Sequence, residues 1–182
     1  MQLNELTIRP LTEADIEPII KYWFESDEGF LTAMGLDLTK LGSSEKFIEF
    51  LKKVCGTSIA EAKIYYLIWL VGSEPIGYSC LRDIAHNEIA HMHLHIWNRG
   101  NRKRGYGAKL FALSVIEFYR LFNLKMILCE PLASNPSPNN LLKKIGFNLW
   151  RTYRCASSEI SLVGEVNSYI VDPETAARFL EI

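Results

Sequence analysis

Long apolar runs, paired cysteines and an excess of charge of either sign are all missing from this chain of 182 residues. Nothing approaches the roughly 20 apolar residues of a membrane helix. Met1 to Pro10 is polar from its second residue and lacks the apolar core of a secretory signal. A cytoplasmic protein with no membrane contact is therefore expected. The four cysteines, at 55, 80, 129 and 155, form no C-x-x-C pair, which argues against a zinc ribbon or a thioredoxin-type site. Cys80 and Cys129 lie in apolar runs and read as buried reduced thiols. Lys and Arg total 20 against 21 Asp and Glu, so the chain as a whole is neither a basic nucleic-acid binder nor a polyanionic tail. Repeats, low-complexity tracts and linkers are absent as well, and a single domain over residues 1–182 is expected.

What is present is an ordered series of periodic segments. Leu6–Leu11 reads as a strand. Thr12 opens a helix to about Phe24, with Asp15 in capping-box spacing. Glu25–Gly42 reads as a loop, and its Glu25, Asp27 and Glu28 suit either solvation or attraction of a cation. Phe47, Leu51 and Val54 share a face of a helix over Ser44–Val54. Ile64–Val71 and Ile76–Leu81 flank Gly72-Ser73 as a hairpin. Ile89–Trp97 alternates cleanly, with His91, His93 and His95 on one face and Met92, Leu94 and Ile96 on the other. A helix over Ala108–Phe122 carries a stripe of Phe111, Val115, Phe118 and Phe122. Lys125–Cys129 is a fifth strand, and Ser137-Pro138 looks like an N-cap followed by proline. Two more strands, Phe147–Arg154 and Val166–Val171, precede a short helix opened by Asp172-Pro173. Antiparallel strands followed by a β-α-β crossover predict an α/β (α+β) mixed sheet with helices on both faces.

The loop Arg102-Lys103-Arg104-Gly105-Tyr106-Gly107-Ala108 leaves a strand and enters a helix. Backbone N–H groups at such a helix start, with the helix dipole, favour an anion. Gly105 and Gly107 permit close approach of the main chain to a phosphate. Arg99 and Lys109 add charge, so a pyrophosphate ligand accounts for the segment; a solvated basic turn is the plainer alternative. The Walker and dinucleotide fingerprints both fail here, because Gly-Lys-Ser/Thr and the G-x-G-x-x-G order are missing.

Arg102-x-x-Gly105-x-Gly107 between strand and helix resembles the acyl-CoA loop of the GNAT superfamily of N-acetyltransferases. Asn135, Ser137 and Asn139 before Leu141-Leu142-Lys143-Lys144-Ile145-Gly146-Phe147, and the opening Thr7-Ile8-Arg9-Pro10-Leu11-Thr12, are similar to that family too. The resemblance implies a mostly antiparallel sheet splayed between its fourth and fifth strands, with acetyl-CoA in the gap and no metal. Ile96 and Trp97 would pair through their backbone with the pantetheine arm. The amides of Lys103, Arg104, Gly105, Tyr106, Gly107 and Ala108 would hold the pyrophosphate, with Arg102 alongside. Asn135 and Asn140 would touch the cofactor from the other side. The acceptor would be an amine of a small molecule or a peptide; a homodimer stays open, and nucleic acid is not expected.

For the histidine strand three readings stand: a metal site, half-buried histidines in a wet cleft, and catalysis. Ala90-His91-Met92-His93 with Arg102 downstream is similar in spacing to arylalkylamine N-acetyltransferases, which implies that His93 and His91 are the catalytic base and its relay. An alkylammonium must lose a proton before it attacks a thioester, and imidazole titrates in the right range. Where relatives often carry a tyrosine that protonates the thiolate, this chain has Leu142, leaving Tyr106, Tyr153 and Cys155 as candidates by chemistry alone. Glu130-Pro131 before Asn135 also resembles siderophore-type hydroxylamine acyltransferases, with Leu132 where those often carry Asp. A CoA-binding domain without turnover is the further alternative.

Overall fold

The computed structural model describes residues 5–97, 100 and 105–181. Seven strands form one sheet: β1 (Leu6–Pro10), β2 (Tyr65–Val71), β3 (Glu74–Ala85), β4 (Ile89–Ile96), β5 (Met126–Cys129), β6 (Leu149–Cys155) and β7 (Gly164–Ile170). Their spatial order is β1-β2-β3-β4-β5-β7-β6. Every neighbouring pair is antiparallel except β4 and β5. That parallel pair requires a crossover, which helix α4 (Tyr106–Phe122) supplies. The alternation of apolar residues in the strands and their 3.6-residue period in the helices thus yield the expected mixed sheet.

Both faces are covered. On one, Phe111, Val115, Phe118 and Phe122 of α4 are buried against Leu67, Trp69, Leu81 and Met92 of the sheet, with α6 (Pro173–Leu180) packed beside α4. On the other, α1 (Ile16–Phe24) and α3 (Ser44–Gly56) bury Ile19, Trp23 and Leu51 with Ile68, Tyr78 and Cys80. The Thr12–Asp15 spacing does form its box: the Asp15 carboxylate accepts from the Thr12 N–H (2.9 Å) and hydroxyl (2.7 Å). It also accepts two bonds from the Arg9 guanidinium at 2.6 and 2.8 Å. Burial would raise the Asp15 pKa, but these donors hold it below the ordinary carboxylate value.

Two local expectations are corrected. Residues 25–42 contain a helix, α2 (Glu28–Ala33), because Asp27 caps it by accepting the Phe30 N–H at 2.9 Å. Helix α5 (Pro136–Ile145) begins two residues earlier than Ser137-Pro138 suggests. Asn135 is its N-cap, taking the Ser137 N–H at 3.2 Å, and Pro136 fills the first helical position, where no N–H is needed.

The segment after α2 is moored to the other half of the sheet. Leu36 bridges Ser161, the Asp37 N–H donates to the Ile160 carbonyl (2.9 Å), and the Leu162 N–H donates to the Gly35 carbonyl (2.7 Å). Gly35 has φ +96, and a Cβ there would stand 2.6 Å from a methyl of Leu132. Only glycine fits that combination.

Candidate active site

The ladder between β4 and β5 is short. It pairs Ile89 with Met126, Ala90 with Ile127 and His91 with Leu128, and no pairing continues beyond His91 among the described residues. The Trp97 N–H donates to the Ile76 carbonyl of β3 (3.0 Å). Main-chain groups alternate along a strand, so odd residues of β4 turn theirs to β3 and even residues turn theirs to β5. Past His91 the edge of Met92 and Leu94 therefore turns to the gap, whereas the N–H of Trp97 is spent on β3. The Trp97 indole N–H is buried without an acceptor among the described residues.

Helix α4 begins at the mouth of this gap. Gly105, at φ +83, is its left-handed N-cap and has open space around it. A Cβ on Gly107 would lie 3.1 Å from Ile96 Cδ1 and 3.4 Å from Leu141 Cδ1. The absent side chain is what lets the first turn of α4, with Tyr106, Gly107 and Ala108, start beside the end of β4 and next to α5. Arg102, Lys103 and Arg104 lie outside the described residues. Asn135 caps α5 and Asn140 is exposed on it. The adjacent Asn139 is buried: its amide donates to the Leu132 (2.9 Å) and Asn135 (2.7 Å) carbonyls. Its oxygen accepts from Asn167 (2.7 Å) and Tyr169 (3.1 Å), tying α5 to β7.

The three strand histidines share the face that packs toward α1, in register with Arg82, Cys80 and Tyr78 of β3. They do not converge, because each meets a different neighbour. His95 Nδ1 is 3.1 Å from the Tyr22 hydroxyl, and its ring lies between Trp23 and Tyr78. His93, opposite Cys80, is half-buried; desolvation, with Arg82 and His91 nearby, pushes its pKa down to about 4. His91 Nδ1 lies 3.3 Å from Glu130 Oε2. That contact raises the His91 pKa above the ordinary imidazole value against the opposite pull of burial. The fourth histidine, His86, meets the Ala62 carbonyl at 3.0 Å and is structural. No group of three His, Cys, Asp or Glu suited to a metal occurs among the described residues.

Glu130 stands at the end of β5 with its side chain 4% exposed. Its Oε1 accepts from the Tyr153 hydroxyl and from the Ser168 hydroxyl, both at 2.7 Å. Burial alone would raise its pKa, but the His91, Tyr153 and Ser168 donors outweigh that and hold it at about 2.

A splayed parallel pair, a helix starting at the splay and an imidazole face beside it form one constellation. The chain matches the family model of the acetyltransferase (GNAT) domain over residues 5–148. It belongs to the GNAT acetyltransferase family. Among curated proteins no significant match is found. Solved GNAT structures of similar fold include the ribosomal alpha-N-protein acetyltransferase RimL in complex with coenzyme A. It is 14% identical, with TM-score 0.73, covering 92% of this chain and 95% of that one. The microcin self immunity acetyltransferase MccE, in complex with acetyl-CoA and AMP, is 15% identical, with TM-score 0.74, covering 93% of each chain. The spermidine/spermine N-acetyltransferase SpeG from Vibrio cholerae is 17% identical, with TM-score 0.66, covering 96% of this chain and 98% of that one. At such identities the likeness is one of fold.

In this GNAT chain Leu142, where the resemblance led to the expectation of a tyrosine, is fully buried in the core. Of the other candidate acids, Tyr153 has its proton committed to Glu130, which raises its pKa. Tyr106 packs against the core in the first turn of α4, and Cys155 is partly buried at the end of β6. Glu130 is what sequence reading missed as a partner of His91. The available signal was its place at the end of the strand that neighbours the histidine strand, but nothing local in sequence joins it to residue 91.

Proposed function

We propose that this chain is a single-domain, cytoplasmic N-acetyltransferase that moves the acetyl group of acetyl-CoA to an amine of a small molecule or peptide. The observation that carries this is the ending of the β4–β5 ladder at His91, with the start of α4 beside Ile96 at the far end of β4. That opening exposes strand edge for an extended pantetheine arm, and the helix start offers N–H groups to a pyrophosphate. The residues we assign to CoA are Ile96, Gly105, Tyr106, Gly107 and Ala108, joined by Arg102, Lys103, Arg104 and Asn135. The four free cysteines accord with a reducing compartment.

In this reading the acceptor enters from the face of the histidines. The ammonium gives a proton to an imidazole, and the amine lone pair then attacks the thioester carbon. The C–N bond forms, the C–S bond breaks and the electron pair leaves on sulfur; the thiolate takes a proton from the imidazolium or from water, and the second proton, shed by the new amide nitrogen, passes to the freed imidazole or to water. A donor to the carbonyl oxygen on the β4 edge would stabilise the tetrahedral intermediate. His91 is the better base of the two histidines, because the Glu130 contact raises its pKa while that of His93 is lowered. His93 then serves as an uncharged relay.

Calorimetric titration with CoA, and thiol release from acetyl-CoA over peptides, polyamines, arylalkylamines and hydroxylamines, tests the proposal. Binding with turnover of an amine is expected. A folded protein that does not bind CoA removes the reading, and binding without turnover reduces it to a CoA-binding domain.

A further inference from the structure

We propose that Glu130 is a positioning residue, which holds the Nδ1–H tautomer of His91 and so leaves Nε2 as the ring nitrogen that takes the acceptor's proton. This rests on the acetyl-transfer reading above. Three observations carry it. First, the contact is specific: one carboxylate oxygen, Oε2, faces Nδ1 at 3.3 Å, and a carboxylate can only accept. The contact therefore favours a proton on Nδ1 and the lone pair on Nε2. Second, the carboxylate is itself held. The Tyr153 hydroxyl from β6 and the Ser168 hydroxyl from β7 both donate to Oε1, so the acid cannot rotate away from the ring. Third, the partners differ in access. The His91 side chain is 31% exposed and that of Glu130 is 4% exposed. A charged acceptor can reach the imidazole, but not a carboxylate whose oxygens are already occupied.

The arrangement spans the splay. His91 is the last residue of β4 paired to β5, and Glu130 directly follows β5. The two halves of the sheet are thus joined at the point where they part. The charged and titratable groups around the pair are few. Arg82 stands opposite His91 on β3, Asp83 follows it, and His93 lies two residues along β4. Tyr153, with Cys155 near it, and Cys129 flank Glu130. When Nε2 accepts a proton, the positive charge forms against a fixed, buried anion. No proton need move to Glu130.

The deciding measurement is the nitrogen NMR spectrum of the His91 ring in the free protein across the range in which imidazole titrates, which needs neither CoA nor an acceptor. In the native chain the neutral ring is expected as the Nδ1–H tautomer. Glu130→Gln, whose amide can donate to Nδ1, should mix the tautomers and lower the midpoint by about 1–3 units. Glu130→Asp, one methylene shorter but still charged, should loosen the tautomer with a smaller midpoint shift, and serves should the Gln variant not fold. An unchanged tautomer and midpoint in these variants overturns the proposal.

The second arm uses acetyl-CoA with spermidine or a peptide bearing a free N-terminus. Glu130→Gln is expected to lower kcat by up to roughly 10²–10⁴-fold, the worth of a general base. The KM for acetyl-CoA should stay the same and the acid limb of the pH profile should move to lower pH. A profile unchanged by His91→Gln but abolished by Glu130→Gln would make Glu130 itself the base, and overturns the proposal as well. Failure of every amine to react would instead remove the acetyl-transfer reading, while the NMR result still decides the tautomer.

Discussion

Two histidines that alternate along one strand differ because of what faces them. His91 meets a carboxylate, whereas half-buried His93 stands opposite Cys80 with Arg82 near it. Under the acetyl-transfer reading, His91→Gln should lower kcat/KM by about 10²–10⁴-fold, with loss of the acid limb of the pH profile, whereas His93→Gln should cost less. Steady-state kinetics with acetyl-CoA and the best amine found would check both. If His93→Gln proves the more damaging, the base is His93 and the sequence-based order stands. The glycines of the α4 start also differ. Gly105→Ala is limited by its φ of +83, a strain of roughly 1–2 kcal/mol. Gly107→Val is limited by Ile96 and Leu141. Both are expected to weaken CoA binding in calorimetry, and Gly107→Val should destabilise the fold the more, because its clash lies in the packed junction of β4, α4 and α5.

At the scale of elements, one asparagine and one glycine hold segments that are distant in sequence. Asn139 satisfies two carbonyls and two donors from the 131–135 stretch and β7. Asn139→Ala should destabilise by roughly 1–3 kcal/mol for each buried partner left unsatisfied. The urea midpoint should move at constant m. Gly35→Ala should loosen the mooring of the α2 segment to the 160–162 stretch, since its Cβ would strike Leu132. Amide exchange at Asp37 and Leu162 should then rise more than in α4, and equal protection in both proteins would show that the mooring bears no load.

For the whole molecule, pH stability follows from groups whose folded pKa values are depressed. His93 titrates near 4 folded against an ordinary 6.5, so between those values the unfolded chain takes up a proton that the folded chain refuses. Its contribution is full above about pH 6.5 and is lost as pH falls toward 4. The slope attributable to it is about 1.4 kcal/mol per pH unit over that window. His93→Asn should flatten this part of the curve in pH-dependent urea unfolding, and an identical slope would show that His93 protonates freely. Glu130, held at about 2, adds a loss confined to still more acid solution. His91 acts in the opposite sense: its stabilisation is present below the ordinary imidazole pKa and is lost as pH rises through its raised folded value.

The order of elements, the crossover, the common face of His91, His93 and His95 and the glycine-bearing helix start were all legible in the sequence. Each rests on periodicity or on backbone chemistry within a few residues. The Thr12–Asp15 box was legible for the same reason, and α2 was missed because one turn capped by Asp27 leaves too little periodicity to read. Tertiary structure alone decided that His91 meets Glu130 while His93 stands opposite Cys80. It also decided that Leu132 occupies the space before Gly35, and that Asn139 rather than Asn135 or Asn140 is the buried hub of α5. A side chain's pKa and role depend on solvent access and on partners that can lie far off in sequence, as Glu130 lies 39 positions from His91. A strand's alternation names the face, but only the fold names what stands opposite.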